Sequence, residues 1–422
     1  MTDILDDLKW RGLLAQSTDI EALRAALSEG PVTYYCGFDP TAPSLHHGHL
    51  VQLVLMRHLQ LAGHRPIALV GGATGMIGDP RMSGERVLNS KETVAGWTDR
   101  LRGQIERFLD FAGENAARMV NNLDWTGQLS AIDFLRDIGK HFRLSNMLAK
   151  DTVARRLASE EGISFTEFSY QILQGMDYLE LFRRYGCTLQ TGGNDQWGNL
   201  TAGVDLIRKA EGAGVHVLTT PLITKADGTK FGKSEGGAIW LDGEMLSPYA
   251  FYQFWLNTDD ADVVRYLKVF TFRTREEIAE LGEAVAERPQ AREAQRALAE
   301  DVTTLVHGAE ATERVQRASQ ALFGRDDLRE LDGRTLRDAV AELPRGEATV
   351  GESTVVDLLL ASGLEKGRSA ARRTIASGGA YLNNEKIDDE DHVLSSGDLL
   401  AGGYALLRKG RKNLAVIATN HA

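Results

Sequence analysis

The chain has 422 residues, 43% of them hydrophobic and 25% charged, which excludes a disordered protein and suits two or three folded domains. The formal net charge of −11 argues against indiscriminate binding to nucleic acid. No apolar stretch reaches the roughly 18 residues needed to cross a bilayer, the first residues are acidic where a secretory signal would be basic, and neither Cys36 nor Cys187 belongs to a Cys-x-x-Cys pair. We therefore expect a cytoplasmic protein without membrane contact, disulfide framework or structural zinc.

Apolar runs of strand length alternate with longer helix-patterned segments in the first half of the chain. The runs predicted to be strands are residues 32–37, 67–70, 119–122, 188–191 and 217–223. This alternation predicts an α/β domain with a parallel sheet covered by helices on both faces. Ligands of such sheets bind beyond the carboxyl ends of the strands, so we expect the functional site there.

Two short motifs that lie far apart in the chain have the chemistry of a triphosphate site. The first holds His46 and His49, which share one face of a helix start, where the backbone attracts anions. Gly48 between them leaves room for a base or a phosphate to approach the backbone. The second holds Lys230 and Lys233, two ammonium groups in a glycine-rich segment. Together they predict a site for a nucleoside triphosphate.

Other interpretations of these glycine and histidine motifs are weaker. The histidine run could have a buried structural role, or it could bind a metal, but no carboxylate or cysteine lies beside it at a ligand spacing. Residues 232–234 resemble the end of a P-loop, yet Asp227 stands where that motif needs a glycine. Residues 71–75 are a weak match to a glycine-rich dinucleotide-binding motif. They are more typical of a tight turn after a strand, which would let Asp79 face the crevice.

A helix predicted over residues 166–183 carries Tyr170, Gln174 and Asp177 in one line down a single face. The other faces of this helix are apolar, so these polar groups are expected to be buried and to need partners. Either a structural network or a polar ligand could supply them. Residues 192–198 add a glycine turn with an acid and two amides, which suits contacts with a ribose and a base.

The second half of the chain changes character twice. From residue 247 to residue 323 no strand pattern appears, and Ala, Arg, Glu and Leu recur at helical spacing, which predicts an all-α domain. Residues 324–352 are expected to be a connector with little core of its own. Two short helices, at 355–361 and 366–377, and a strand-like ending are expected to follow.

Basic residues gather in two clusters of this C-terminal part, where nine Lys and Arg stand against eight Asp and Glu from residue 353 onward. Such clusters could track a phosphate backbone, or they could be solvated surfaces. Their members are Lys366, Arg368, Arg372, Arg373, Arg408, Lys409, Arg411 and Lys412.

These motifs, in this order, resemble those of the class I aminoacyl-tRNA synthetases. Residues 46–49 resemble the His-Ile-Gly-His signature of that class, and residues 230–234 resemble its Lys-Met-Ser-Lys-Ser loop. Residues 35–41 and 192–198, together with the polar line on the 166–183 helix, look like those of bacterial tyrosyl-tRNA synthetases.

The resemblance covers essentially the whole chain and implies its organisation. It implies a Rossmann-like catalytic domain over residues 1–246, an anticodon-side helical domain over 247–323, a linker over 324–352, and a small α+β RNA-binding domain over 353–422, like that of a small-subunit ribosomal protein. A homodimer is also implied.

The resemblance further implies a substrate role for each polar group. Tyr35 and Asp177 would bond the phenol hydroxyl of L-tyrosine, and Gln196 would orient its carboxylate. The ammonium of tyrosine would be held by Asp79, Tyr170 and Gln174. ATP would lie across Gly37, Asp39, His46, Gly48, His49, Gly193, Asp195, Lys230 and Lys233.

The reaction implied is attack of the tyrosine carboxylate on the α-phosphate of ATP, followed by transfer of tyrosine to the terminal adenosine of tRNA(Tyr). No protein nucleophile is needed, because fixed donors can stabilise the charge that builds on the phosphates. The donors implied are Thr41, His46, His49, Lys230 and Lys233. Mg²⁺ is expected to accompany ATP, and no metal site made of protein groups alone is predicted.

The chain departs from the family pattern at three places. His47 replaces an isoleucine and is expected to be a bystander, and Gly232 replaces a serine and is expected to loosen its loop. In residues 79–86 a usual lysine is missing, and either Arg81 or Arg86 could take over its phosphate contact.

Two other functions stay open at this point. One is another nucleotidyltransferase with the histidine signature, such as a cofactor adenylyltransferase, against which the length of the chain argues. The other is an RNA-binding protein with an inactive synthetase fold, against which the intact histidines and lysines of the two motifs argue.

Overall fold

The computed structural model separates the chain into two compact units. One unit comprises Met1–Met245 and Thr258–Val302, and the other comprises Leu246–Asn257 and Thr303–Ala422. The structure describes residues 3–80, 88–160, 162–229, 231–232, 237–324, 326–410 and 413–419.

A six-stranded sheet forms the centre of the first unit. Its strands are β1 (Gln16–Ser17), β2 (Thr33–Phe38), β3 (Arg65–Val70), β4 (Arg118–Asn121), β5 (Cys187–Gly193) and β6 (His216–Thr220). Their order across the sheet is β1-β6-β5-β2-β3-β4, and all neighbours are parallel except the β1–β6 pair. The five predicted strands are confirmed. Strand β1 was missed because two residues give no apolar run.

The strand order reverses beside β2. From β2 the chain runs to β3 and β4 on one side, and it then returns to β5 and β6 on the other side. A crevice therefore opens at the carboxyl ends of β2 and β5, which is where ligands of such sheets bind.

Helices surround this sheet and continue through the rest of the chain. They are α1 (Ile4–Arg11), α2 (Ile20–Glu29), α3 (His47–Leu61), α4 (Lys91–Ile105), α5 (Leu123–Thr126), α6 (Ala131–Asp133), α7 (Leu144–Leu148), α8 (Asp151–Leu157), α9 (Phe165–Tyr185), α10 (Trp197–Glu211), α11 (Pro248–Leu256), α12 (Asp260–Phe270), α13 (Arg275–Glu287), α14 (Glu293–His307), α15 (Ala309–Leu322), α16 (Gly333–Val340), α17 (Val355–Ala361) and α18 (Arg368–Ala376). Among the described residues, none of these helices is long and apolar enough to span a membrane.

Helix α9 forms much of the core of the first unit. Ser164 caps its start by accepting from the backbone N–H of Glu167, and Gly186 ends it in the left-handed conformation with a φ of 62°. Its buried side chains include Met176 and Leu179, which belong to the same core cluster as residues of β2 and β3. The helix predicted over residues 166–183 is confirmed, and its burial holds the polar line at a fixed place beside the sheet.

A second sheet organises the second unit. Its strands are β7 (Arg345–Ala348), β8 (Ala380–Leu382), β9 (Glu385–Lys386), β10 (Tyr404–Lys409) and β11 (Asn413–Thr419), in the order β7-β11-β10-β8-β9. The pair β7–β11 is parallel and the other pairs are antiparallel. The strand-like ending and the two short helices, α17 and α18, agree with the prediction.

The stretch 324–352 differs from the connector that was expected. It contains α16 and β7, and Leu336, Ala339 and Val340 of α16 are buried in one cluster with residues of β10 and β11. The apolar residues of α16 are too few for a helical pattern to stand out among glycines and charges, and their burial depends on partners more than 60 residues away along the chain.

Replacing Gly346 with alanine should weaken the second unit. A Cβ there would stand 2.8 Å from the backbone carbonyl carbon of Ala361 and from the backbone nitrogen of Ser362. Overpacking of this kind costs about 1–3 kcal/mol in the free energy of unfolding. Urea denaturation, with hydrogen exchange of the β7 amides followed by mass spectrometry, measures the loss. Glu347→Ala changes the exposed neighbouring position and is the control; an equal effect of both changes would contradict the packing of β7 on α17.

Candidate active site

A cavity of about 810 Å³ opens at the carboxyl ends of β2 and β5. It brings together all of the predicted tyrosine and ATP residues that the structure describes. Those lining it are Tyr35, Gly37, Asp39, Thr41, His46, Gly48, His49, Asp79, Tyr170, Gln174, Asp177, Gly193, Asp195 and Gln196.

Helix α3 begins with a reciprocal cap made by two histidines. The backbone N–H of Gly48 donates to Nδ1 of His46 at 3.0 Å, and the backbone N–H of His46 donates to Nδ1 of His49 at 3.1 Å. An accepting Nδ1 has no proton, so each neutral ring has its proton on Nε2. Burial lowers the pKa of both histidines, that of His49 to about 3. Both rings are therefore neutral Nε2–H donors and not cations.

His47 contacts the segment that follows Lys230, so it is not a bystander. Its ring centroid lies 5.2 Å from that of Phe231 in an edge contact. A Cβ on Gly232 would come within 2.1 Å of Cε1 of His47, and Gly232 has a φ of +75°. Glycine at position 232 therefore makes room for the imidazole at position 47, and these two departures from the family pattern fit each other.

A buried carboxylate marks one end of the cavity. Asp177 is 2% exposed, and it accepts hydrogen bonds from Nε1 of Trp125 and from Nδ2 of Asn122, both at 2.9 Å. Burial raises the pKa of Asp177 to about 7, and these two hydrogen bonds oppose the rise. Tyr35 is 1% exposed, and burial raises the pKa of its phenol well above the usual value. Both oxygens of Asp177 accept hydrogen bonds, so this end combines a carboxyl acceptor with a neutral hydroxyl.

Asp39 lies at the end of β2 and binds two hydroxyls. Oγ1 of Thr74 donates to its Oδ1 at 2.6 Å, and Oη of Tyr170 donates to its Oδ2 at 2.8 Å. Asn122 donates in turn to Oγ1 of Thr74 at 2.9 Å. Hydrogen bonds thus connect Asp177 to Asp39 through Asn122 and Thr74, and they join the group expected at tyrosine to a group expected at ATP.

A second network surrounds Asp79. Its Oδ2 accepts from Nε2 of Gln196 at 3.0 Å, and its Oδ1 accepts from Nδ2 of Asn199 at 3.1 Å. Nδ2 of Asn199 also donates to Oε1 of Gln196 at 2.8 Å. Two groups expected to bind the ammonium and the carboxylate of tyrosine therefore contact each other directly.

Four polar atoms of residues that line the cavity are buried without a hydrogen-bond partner among the described residues. They are Oη of Tyr35, Nδ1 of His47, Oε1 of Gln174 and Oε1 of Gln190. A buried polar atom without a partner costs about 1–3 kcal/mol. Their grouping in one cavity indicates that a polar ligand supplies the missing partners.

Part of the predicted phosphate-binding set lies outside the described residues. Lys230 and Lys233 are in this group, as are Arg81 and Arg86, so the alternatives for the missing lysine stay predictions.

Several residues of the site were missed from the sequence. Gln190 lies in a strand predicted from its apolar neighbours, and Asn122 and Thr74 follow strand ends. A polar residue inside or just after a buried strand is the signal that could have found them. Trp125 gave no such signal, because an aromatic residue usually marks apolar core.

The basic residues of the second unit are partly paired with acids. Arg368 lies 2.7 Å from Asp357, and Lys409 lies 2.9 Å from Glu365. The guanidinium of Arg408 stacks on a tyrosine ring, and Arg372 lies 3.5 Å from a glutamate. Lys366 and Arg373 are exposed, whereas Arg411 and Lys412 lie outside the described residues.

Comparison with known proteins gives matches over nearly the whole chain. The family model described as class I tRNA synthetases for tryptophan and tyrosine matches residues 27–324, and the model for the C-terminal domain of tyrosine–tRNA ligases matches residues 335–417. The tyrosine–tRNA ligase of Streptomyces coelicolor is 66% identical over 99% of both chains, and that of Corynebacterium glutamicum is 59% identical over 98% of both. Neither alternative function is favoured by these matches.

Solved structures agree with this assignment. A C-terminally truncated mitochondrial tyrosyl-tRNA synthetase of Coccidioides posadasii is 34% identical, with a TM-score of 0.67 over 75% of this chain and 91% of that chain. The corresponding enzyme of Aspergillus nidulans is 30% identical, with a TM-score of 0.70 over 76% of this chain and 95% of that chain. The chain therefore belongs to the class I aminoacyl-tRNA synthetases and, among them, to the tyrosine–tRNA ligases, which use ATP as a substrate.

Proposed function

We propose that the cavity beside β2 is where tyrosine and ATP form tyrosyl-adenylate, and that Tyr35 and Asp177 select the amino acid. The observation that carries this proposal is that a buried hydroxyl without a partner and a buried carboxyl group line the same cavity. A phenol hydroxyl can accept from Tyr35 and donate to Asp177, whereas a phenylalanine ring would leave both groups without that partner. Asp79, Tyr170 and Gln174 would then hold the ammonium, and Gln196 would orient the carboxylate.

The other end of the cavity suits the triphosphate. The neutral Nε2–H groups of His46 and His49 can donate to phosphate oxygens at a helix start, without the cost of burying two cations. Thr41 adds a hydroxyl, and Lys230 and Lys233 would add the positive charge that the transition state needs. Attack by the tyrosine carboxylate on the α-phosphate would then release pyrophosphate.

Mg²⁺ would arrive with the nucleotide. Among the described residues no group of three or more His, Cys, Asp and Glu side chains could hold a metal ion. The phosphate oxygens would carry the ion in, and it would offset their charge. Because the second substrate is tRNA, we expect the reaction to take place in the cytoplasm.

Tyr35→Phe should weaken the choice of tyrosine over phenylalanine. The variant loses one hydroxyl, so we expect KM for tyrosine to rise about tenfold and the ratio of kcat/KM values for the two amino acids to fall by a similar factor. Exchange of labelled pyrophosphate into ATP measures both constants. Tyr34→Phe is the matched control, because the buried Tyr34 hydroxyl donates to the backbone carbonyl of Met56 and Tyr34 does not line the cavity. An unchanged ratio in Tyr35→Phe would contradict the assignment.

We further propose that the active enzyme is a homodimer that pairs through the segment 132–165. Large apolar side chains of this segment are exposed, among them Ile132 at 70%, Leu144 at 65% and Phe165 at 73%. Monomeric proteins rarely expose several such side chains together, and a second copy offers a self-complementary surface of the same kind.

Phe165→Glu combined with Leu144→Glu should convert the dimer to a monomer, because each change puts a charge into an apolar contact. Sedimentation velocity distinguishes the 46.3 kDa chain from twice that mass. Leu61→Glu is the control, since Leu61 is 60% exposed on α3 outside this segment. A wild-type protein that sediments as a monomer would contradict the proposal.

We also propose that exposed basic residues of α18, and of the residues that directly precede it, bind the tRNA backbone. Lys366 and Arg373 fit this role because they are exposed, whereas Arg368, Arg372 and Lys409 lie within ion-pair distance of acids. Phosphate contacts of this kind add affinity that falls as salt rises.

Lys366→Glu combined with Arg373→Glu should lower kcat/KM for tRNA charging about tenfold. The slope of log kcat/KM against log salt concentration should become shallower by about 2. Pyrophosphate exchange, which needs no tRNA, should be unchanged. Arg100→Glu combined with Arg107→Glu, at two exposed positions of the first unit, is the charge-matched control. Equal loss of charging and exchange would refute the division of labour between the two units.

A further inference from the structure

Lys150 lies beside the tyrosine-binding groups, yet it has no place in the family pattern described above. A second cavity of about 270 Å³ adjoins the first, and the two share Asp79 and Asp195 in their linings. Lys150 lines the second cavity. Its side chain crosses the start of α10, where a Cβ on Gly198 would stand 3.2 Å from both Cε and Nζ of Lys150. Glycine at position 198 therefore leaves room for the lysine stem.

A chain of hydrogen bonds leads from Lys150 to the tyrosine-binding groups. Nζ of Lys150 donates to Oδ1 of Asn199 at 3.1 Å. An ammonium only donates, so this contact turns the oxygen of the Asn199 amide toward Lys150 and its NH₂ group toward the other side. That NH₂ group donates to Oδ1 of Asp79 and to Oε1 of Gln196, as described above. The ammonium at one end and the acceptor oxygens of Asp79 at the other therefore fix the direction of the hydrogen bonds in the network.

The charges around Lys150 fit this role. Burial lowers the pKa of Lys150 to about 8, and the charge of Asp79 opposes the fall. Asp195 and Glu167 also line the second cavity, but Glu167 is paired with Arg156 at 2.8 Å. Lys150 is therefore protonated at neutral pH, and it loses its charge as the pH rises through about 8.

We propose that Lys150 is a positioning residue for tyrosine activation, which holds Asp79 and Gln196, through Asn199, in the orientation that receives the ammonium and the carboxylate of tyrosine. Lys150 itself touches neither substrate in this arrangement. The proposal rests on the proposed assignment of Asp79 and Gln196 to tyrosine.

Pyrophosphate exchange without tRNA tests this proposal. Lys150→Met should raise KM for tyrosine about tenfold, as expected for loss of a hydrogen bond from a charged group, while KM for ATP changes less than about twofold. Lys150→Arg keeps the charge and should restore most of the affinity. Asn199→Leu should match Lys150→Met, and the double variant should be no worse than either, because the two residues act in series.

The pH profile distinguishes positioning from a merely structural role. KM for tyrosine in the wild type should rise as the pH passes about 8. In Lys150→Arg this component should disappear, because arginine stays charged. The α-amino group of tyrosine also titrates in alkaline solution, so the ratio of variant to wild type at each pH is the quantity to compare.

Three results would overturn the proposal. One is normal exchange in Lys150→Met with a loss of tRNA charging, which would make Lys150 a tRNA contact. Another is an equal rise of KM for both substrates, which would indicate general damage to the fold. The third is an unchanged pH profile in Lys150→Arg. Failure of the wild type to exchange with tyrosine would instead refute the proposed function, so the two failures are distinguishable.

Discussion

The carboxylate of Asp177 is the group on which the arrangement of the site depends. A carboxyl group buried this deeply must be hydrogen-bonded, and its donors come from the segment that follows β4. One of them, Asn122, continues through Thr74 to Asp39 at the end of β2. These hydrogen bonds thereby join helix α9, the end of β4 and the end of β2 around the pocket that lies between them.

This chain of bonds also bears on how two substrates meet. Tyr170 donates to Asp39, so one hydroxyl of the expected ammonium site is already bonded to a carboxylate of the expected nucleotide site. An ammonium group bound beside Tyr170 would compete with Asp39 for this hydroxyl or share it. The reaction needs a carboxylate held close to an α-phosphate. A direct hydrogen bond between the two halves of the site would let the binding of one substrate affect the position of groups that bind the other.

Long, periodic features were predictable from the sequence, and contacts made by single side chains were not. The five strands and α9 follow from apolar runs and helical spacing, and the described polar residues of the cavity meet because parallel strands end at the same edge of a sheet. Lys150, Asn199 and Trp125 could not be found in this way, since their roles depend on partners far away in the chain. The same holds for α16 and β7, whose few apolar residues are explained only by the sheet that buries them.

The contact between His47 and Gly232 limits which segments can be exchanged between related enzymes. The imidazole occupies the space into which any side chain at position 232 would project. A lysine loop taken from a relative with serine at this position would therefore displace the ring of His47, even if both lysines of the loop were kept. A chimaeric enzyme avoids this displacement when both positions come from the same parent.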